Sequence, residues 1–288
     1  MLRMNRLNWF AVFKYLVYAA LIVNAALFFK DDWEAASHLF RDGLPLARII
    51  EGFAPSIDTA AWVILLLLFE LETCQLSEEV LTRPIGLVIR GLRVLCYGVI
   101  VYAFTGYLGK ALGFGLFVPA AIPGACAWAM KQFSLLVELD EYQALTAGNC
   151  VGITGALFIS EQTRTLAEAG TLIQATRLAW VDVVNAGTWL LILALLELDV
   201  RPGVKGLFPG WFATASRLAK YLLYAIIAGA AVYWGIFGTL LDFWDAFLWI
   251  AAFVFIERNV WKPDEPRVIA KEETAKTLNP PSRHSRRS

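Results

Sequence analysis

Residues 57–73 read IDTAAWVILLLLFELET, a leucine-rich run close to the length that crosses a bilayer as a helix. Bilayer hydrocarbon offers no partners to free backbone N–H and C=O groups, so each such run must be helical. No segment alternates as the strands of a membrane barrel do. The chain therefore predicts an all-α, multi-pass membrane protein. Five further runs fit this pattern: residues 9–29, 84–108, 181–198, 218–237 and 243–261.

The composition supports a membrane protein and excludes several other classes. Of 288 residues, 58% are hydrophobic and only 17% are charged, which lies outside the usual range of soluble proteins. The formal net charge of zero gives no reason to expect a nucleic-acid partner. The first apolar run has spanning length, so we expect a retained helix and not a cleaved signal peptide.

Motifs for enzymes, metals and cofactors are missing from the sequence. There is no Walker loop, no G-x-S-x-G and no H-E-x-x-H, and the only histidines are His38 and His284. We therefore expect no cofactor and no catalytic function, although chemistry by carboxylates alone stays open. The cysteines form no C-x-x-C pair, so buried thiols are expected in place of a disulfide or zinc site. They are Cys74, Cys96, Cys126 and Cys150.

The number of spans depends on two weak apolar stretches. Residues 118–137 are interrupted by Pro119 and Lys131, and residues 144–160 are short and rich in glycine. Counting both gives eight spans and counting neither gives six. An odd count would place basic loops on opposite sides of the membrane, against the positive-inside rule. With an even count, both termini are cytoplasmic and the protein is expected in a cell membrane, such as the bacterial inner membrane.

A constant offset of 127 residues relates two parts of the chain. It superposes Trp62 on Trp189 and Glu70 on Glu197, and further along it superposes Arg90 on Arg217, Arg93 on Lys220 and Tyr97 on Tyr224. Polar and aromatic matches at one offset favour an internal repeat.

The stretches before each matched tryptophan also correspond. Residues 31–53 and 161–178 have apolar side chains near helical spacing, which suggests amphipathic helices on the outer surface. Residues 144–160 would then correspond to the first span. The sequence thus predicts an eight-helix bundle of two parallel four-helix units, with six helices as the fallback. The units are residues 1–142 and 143–262, followed by a disordered cytoplasmic tail, 263–288.

Charged residues recur near the predicted cytoplasmic ends of the helices. Acidic residues end the inward-running helices, and basic residues lie at similar depth on the outward-running ones. The expected pairs are Lys14 with Glu70, Arg93 with Glu138 and Lys220 with Glu257, which leaves Glu197 without a basic partner. Such pairs either fix helix register alone or line a cavity that binds a cation or relays protons. Lys131 is a further candidate if residues 118–137 span the membrane, and a loop lysine if they do not.

Two functions follow from this pattern. The first is a channel or secondary transporter for a cation, a proton or a small charged solute. The second is a non-catalytic membrane scaffold or assembly factor. The expected partners are the lipid bilayer, a small cation or proton, and another membrane protein or a second copy of the chain.

Overall fold

The computed structural model describes residues 9–41, 43, 48–72, 84–122, 124–200 and 210–261. Long helices dominate this part of the chain. They are α1 (Trp9–Leu39), α2 (Ile49–Glu70), α3 (Pro84–Phe114), α4 (Ala169–Val200), α5 (Gly210–Phe237) and α6 (Leu240–Trp261). The first five are long and apolar enough to cross a membrane. Each of the six long helices overlaps one of the apolar runs predicted from the sequence.

The helices form a closed ring in chain order. Each one packs against the next, and α6 returns to pack against α1. The outer face of the ring carries large exposed apolar side chains, such as Leu87 and Val94 on α3 and Tyr221 on α5. An exposed apolar surface of this extent is typical of contact with lipid. These features support membrane insertion of a multi-pass protein.

Two apolar clusters hold the ring together. Leu21, Ile192 and Ile227 are almost completely buried in one of them, near the middle of the helices. Helices α2 and α3 lie close together at Gly106 on α3, where a Cβ atom would collide with the Ile50 carbonyl oxygen of α2. Glycine at this position lets the two backbones touch.

Residues between α3 and α4 form a small sheet domain, which we call the β-domain. Its strands are β1 (Val118–Pro119), β2 (Ser134–Leu136), β3 (Tyr142–Ala144), β4 (Leu157–Ser160) and β5 (Thr165–Glu168). The order in the sheet is β1-β4-β5-β2-β3, with β2 and β5 parallel and the other pairs antiparallel. Leu136, Leu139 and Ala167 join a second cluster that packs the domain onto the helices.

The expectation of two weak spans is wrong. Residues 118–137 and 144–160 contain short strands and turns, and their longest α-helical segment is Cys126–Ala129. Gly124 and Gln132 adopt positive φ angles of 85° and 60°, which interrupt any helix. The apolar side chains that suggested spans, including Trp128 and Phe133, fill the core of the β-domain. The eight-helix bundle is therefore replaced by six long helices and a sheet.

The predicted surface helices are also wrong. Residues 31–39 continue α1 without a break, and the described residues 48–53 lead into α2. Residues 165–168 form β5, and residues 169–178 begin α4. The 31 residues of α1 extend about 46 Å at 1.5 Å per residue, well beyond about 30 Å of hydrocarbon. The amphipathic pattern thus marks the ends of α1 and α4, which pack against the β-domain.

The expectation that all four cysteines are thiols is wrong for two of them. Cys126 and Cys150 form a disulfide within the β-domain, and Cys96 is a buried thiol. Cys74 lies outside the described residues. A disulfide closes a loop and is typical of compartments that are oxidising.

Candidate functional site

A cavity of about 130 Å³ lies between the ring of helices and the β-domain. Helices α1 to α6 all contribute to its walls, and the turn between β2 and β3 adds Glu138, Leu139 and Asp140. Its size compares with an engineered cavity of about 150 Å³ that binds benzene. The cavity therefore has room for a small organic molecule.

The cavity is strongly acidic. Eight carboxyl side chains line it: Asp31, Asp32, Asp58, Glu138, Asp140, Asp182, Asp242 and Asp245. Lys110 approaches this group, with its Nζ atom 2.7 Å from Asp140 Oδ1. Burial raises the pKa of the nearby Tyr142 phenol, and the Asp140 carboxylate raises it further, so this phenol stays neutral. The excess of carboxylates favours a positively charged ligand.

Several of these carboxylates have structural partners. Asp32 accepts hydrogen bonds from the backbone N–H and the hydroxyl of Ser56. Thr239 caps the start of α6, where its Oγ1 accepts a 3.2 Å hydrogen bond from the Asp242 backbone N–H, and its hydroxyl donates one of 2.7 Å to the Asp242 carboxylate. Asp182 accepts one of 3.2 Å from Trp234 Nε1. These hydrogen bonds stabilise the helix ends around the cavity.

A different set of polar residues lies deeper along the helices. Asp58 on α2, Asn185 on α4 and Asp245 on α6 all line the cavity. The Tyr107 hydroxyl lies 3.4 Å from Asp58 Oδ2, and Asn24 Nδ2 donates a 3.0 Å hydrogen bond to Asp245 Oδ1. Asn185 Oδ1 is buried and has no hydrogen-bond partner within the described part of the chain. This level of the cavity therefore combines two carboxylates and one unpaired acceptor.

Tryptophans close the cavity about one helical turn further on. Trp62, Trp189 and Trp249 each follow one of the three polar residues by four positions. The Trp62 ring centroid lies 5.9 Å from that of Trp189 and 6.2 Å from that of Trp249. Phe253 adds a ring 4.5 Å from Trp189. We call these four residues the aromatic layer. Its rings form an apolar wall at the end of the cavity. Aromatic faces attract a cation and can pack against its alkyl groups.

A second polar level lies beyond the aromatic layer, at the opposite end of the helices. Lys14 Nζ lies 2.6 Å from Glu70 Oε1, and both side chains are less than 10% exposed. The Tyr18 hydroxyl lies 3.4 Å from Glu70 Oε2. On the next hairpin, the Tyr97 hydroxyl donates a 2.6 Å hydrogen bond to Glu197 Oε1. The charged groups at this end are thus tied to partners on adjacent helices.

The structure brings some of the predicted site residues together and separates others. Lys14 meets Glu70 as expected, but Arg93 pairs with Glu72 and not with Glu138. Glu138 instead belongs to the β-domain and lines the acidic cavity. Glu197, expected to lack a basic partner, accepts a hydrogen bond from the Tyr97 hydroxyl. The Glu257 side chain lies outside the described residues, so the pair with Lys220 stays a prediction.

Lys131 is an exposed residue of the β-domain. Its Nζ atom lies 4.5 Å from the centre of the Trp128 ring. This position agrees with the alternative prediction of a loop lysine. Lys131 does not line the cavity.

The cavity is better suited to an organic cation than to a compact metal ion. Among the described residues, no three Asp, Glu, His or Cys side chains converge closely enough to hold a metal. The carboxyl groups are spread over several helices and the turn between β2 and β3, and Trp62, Trp189 and Trp249 also line the cavity. Carboxylates and aromatic faces together recognise alkylammonium groups. The arrangement can therefore bind such a cation and hold it in place.

A sequence signal for this site exists but was missed. Three helices carry the same pattern. It consists of an Asp or Asn, a Trp four residues later, and a Glu eight residues after the Trp. The sets are Asp58, Trp62 and Glu70 on α2; Asn185, Trp189 and Glu197 on α4; and Asp245, Trp249 and Glu257 on α6. The offset of 127 residues captures the first two sets and omits the third. The chain matches no protein-family model, no curated protein and no solved structure.

Proposed function

We propose that this protein binds a small organic cation in the acidic cavity and carries it across a cell membrane. The observation that supports this most directly is the cavity itself, with eight carboxylates around an aromatic floor. An anionic ligand would meet an excess of carboxyl groups there, with Lys110 as their basic neighbour. The exposed apolar surface of the helices supports a location in the bilayer, where a cation needs a carrier.

The proposed orientation places the β-domain outside the cell and both termini in the cytoplasm. The Cys126–Cys150 disulfide supports this because such bonds persist in oxidising compartments. The basic residues supply an independent argument. Arg90, Arg93, Arg217 and Lys220 lie towards the opposite ends of α3 and α5, as the positive-inside rule requires. The cavity then opens towards the outside.

This orientation is testable by thiol labelling in intact cells. We expect a membrane-impermeant maleimide to label Cys126 and Cys150 only after treatment with a membrane-impermeant reductant. Reduction is required because the two thiols form a disulfide. The variant Cys126→Ser/Cys150→Ser is the control and should lose this labelling. Labelling that requires permeabilised cells would place the β-domain in the cytoplasm and contradict the proposed topology.

We infer further that the ring is built from three related helix hairpins: α1 with α2, α3 with α4, and α5 with α6. The first helix of each hairpin carries a similar segment: KYLVYA at residues 14–19, RVLCYG at 93–98 and KYLLYA at 220–225. The second helices carry the Asp/Asn, Trp and Glu set. In this scheme the β-domain is an insertion in the middle hairpin. The cavity and the aromatic layer lie where the three second helices contribute equivalent residues.

The aromatic layer supports transport over simple binding. It separates the acidic cavity from Glu70 and Glu197, which supply carboxylates on the other side of the layer. Such an arrangement corresponds to a state open only towards the β-domain. Passage of a cation would require Trp62, Trp189 and Trp249 to separate, as gating side chains do in carriers with alternating access.

Binding is tested by calorimetric titration of the protein in lipid nanodiscs. We expect saturable binding of trimethylammonium and no binding of acetate, because the cavity repels anions. Sodium should compete weakly, since the carboxylates do not converge on a compact ion. The Glu161→Gln variant changes an exposed carboxylate on the turn between β4 and β5, and it should bind as the wild type does.

Transport is tested separately by uptake of radiolabelled trimethylammonium into proteoliposomes, with the same neutral buffer inside and outside. At this pH the amine is protonated and crosses lipid slowly without a carrier. We expect faster uptake with the protein than in empty liposomes. Binding without uptake would restrict the function to a cation receptor. The absence of both would overturn the proposal and favour the membrane scaffold.

A further inference from the structure

The acidic cavity has many more acidic groups than basic ones. Its walls carry eight carboxyl side chains and, among the described residues that line it, no lysine, arginine or histidine. Lys110 is the basic residue beside it, and its Nζ atom contacts Asp140. Ionisation of every carboxyl group would bring the negative charges together around an empty space of about 130 Å³. The empty cavity is therefore more stable when some of these groups hold protons.

Asp58 and Asp245 are the carboxyl groups best placed to hold such a proton. Both side chains are partly exposed and line the cavity next to the aromatic layer. Their hydrogen-bond partners are neutral, namely the Tyr107 hydroxyl near Asp58 and the Asn24 amide that donates to Asp245. Neither carboxyl group forms a salt bridge within the described part of the chain. Their charged forms therefore lack the partner that offsets the loss of hydration.

The groups that face Asp58 and Asp245 from the surrounding elements are mostly acidic. Helix α5 contributes Ile227 and Trp234, which do not titrate. The titratable groups from the other elements are Asp31 and Asp32 of α1, Tyr107 and Lys110 of α3, Asp182 of α4, Asp242 of α6, and Glu138 and Asp140 of the turn between β2 and β3. Because Lys110 is paired with Asp140, the remaining carboxyl groups favour the neutral form of their neighbours.

Resting on the proposed function, we propose that the protein exchanges the organic cation for a proton. In the empty cavity the proton is held by Asp58 or Asp245. When the cation binds, this carboxyl group releases its proton to the water at the cavity mouth, and the carboxylate that forms balances the charge of the cation. When the aromatic layer opens to the other side, the reverse exchange returns a proton to the carboxylate and releases the cation. Each cation thus moves against one proton, so a proton gradient drives its transport.

Tetramethylammonium is the probe for this exchange, because it is permanently charged and has no proton of its own to release. Calorimetric titration in nanodiscs near neutral pH, repeated in phosphate and Tris, counts the released protons because the two buffers differ in ionisation enthalpy. We expect about one proton released for each cation bound, and an affinity that falls by up to about tenfold for each unit that the pH is lowered.

Single variants locate the source of the proton. Asp58→Asn and Asp245→Asn should each reduce the release by about half or more, because the carboxyl group that remains has one acidic neighbour fewer. Glu161→Gln changes an exposed carboxyl group of the β-domain and should release as many protons as the wild type does. A thermal unfolding curve shows whether each variant is folded, and the wild-type titration decides if one is not.

Uptake of radiolabelled tetramethylammonium into proteoliposomes tests the exchange as transport. With the membrane potential held at zero, an interior that is one pH unit more acidic should concentrate the cation inside by up to about tenfold. Empty liposomes should show no such accumulation.

Three results would overturn the exchange and leave the proposed function intact. The first is binding without proton release and with an affinity independent of pH. The second is strong competition by sodium at constant pH, which would show that a metal ion is exchanged instead. The third is binding of trimethylammonium alone, which would show that an N–H group is required and not charge by itself. Failure of both cations to bind would overturn the proposed function as well.

Discussion

Replacing Asp58 and Asp245 together by asparagine should lower the affinity for trimethylammonium by about a hundredfold or more. Each hydrogen bond or close contact to a charged group contributes about 1.5–3 kcal/mol, and 1.4 kcal/mol corresponds to a factor of ten. Asparagine keeps the shape of the side chain and removes the charge. The measurement is calorimetric titration in nanodiscs, with each single variant tested beside the double variant.

Two controls make this result specific. Glu161→Gln removes a carboxylate from the exposed turn of the β-domain, so it should have no effect on affinity. The double variant should also unfold at a temperature no lower than that of the wild type, because removal of two partly buried charges relieves desolvation and repulsion. Unchanged affinity in a folded double variant would show that the cation, if bound, is bound elsewhere.

Replacing Lys14 by methionine should lower the free energy of unfolding by about 3–5 kcal/mol. This is the usual effect of removing one partner from a buried ion pair, because the other charge stays buried without compensation. Lys14 and Glu70 have side chains that are 9% and 8% exposed. The double variant Lys14→Met/Glu70→Met should recover most of the loss. Denaturant titration of the detergent-solubilised protein measures both changes.

The chain offers a matched control for this experiment. Lys30 and Glu34 also form an ion pair between lysine and glutamate, but their side chains are 65% and 64% exposed. Lys30→Met should therefore change stability far less than Lys14→Met does. A similar loss for Lys14→Met and Lys30→Met would contradict the structural role of the buried pair.

The sequence predicted the long helices well because each is an apolar run of bilayer length. It predicted the pair of Lys14 and Glu70 because antiparallel neighbours place residues of similar depth together. It failed between residues 118 and 160, where apolar side chains such as Trp128 and Phe133 form the core of a small sheet. Hydropathy alone does not distinguish a weak span from a compact disulfide-linked domain.

The acidic cavity was missed for a different reason. Its carboxyl groups come from helices and a β-domain turn far apart in the chain. Asp31, Asp32 and Asp242 lie in stretches predicted as a surface helix or an outer loop, and the other five lie within or at the end of predicted spans. The predicted site was based on acids that could pair with basic residues, and these acids, including Glu70 and Glu197, lie at the opposite end of the bundle. The recurrence of Asp58, Asn185 and Asp245 four residues before a tryptophan was visible in the sequence. Only the ring of helices shows that the three positions meet.

The central claim is that a small cation occupies the cavity between Asp58 and Asp245. Labelling of carboxylates with dicyclohexylcarbodiimide, read by peptide mass spectrometry, locates the bound cation directly. Trimethylammonium is a suitable ligand because a tertiary amine forms no amide with the activated carboxylate. We predict that a saturating concentration protects Asp58 and Asp245 from labelling and leaves Glu161 unprotected. Equal labelling of Asp58 and Asp245 with and without the cation would contradict the account.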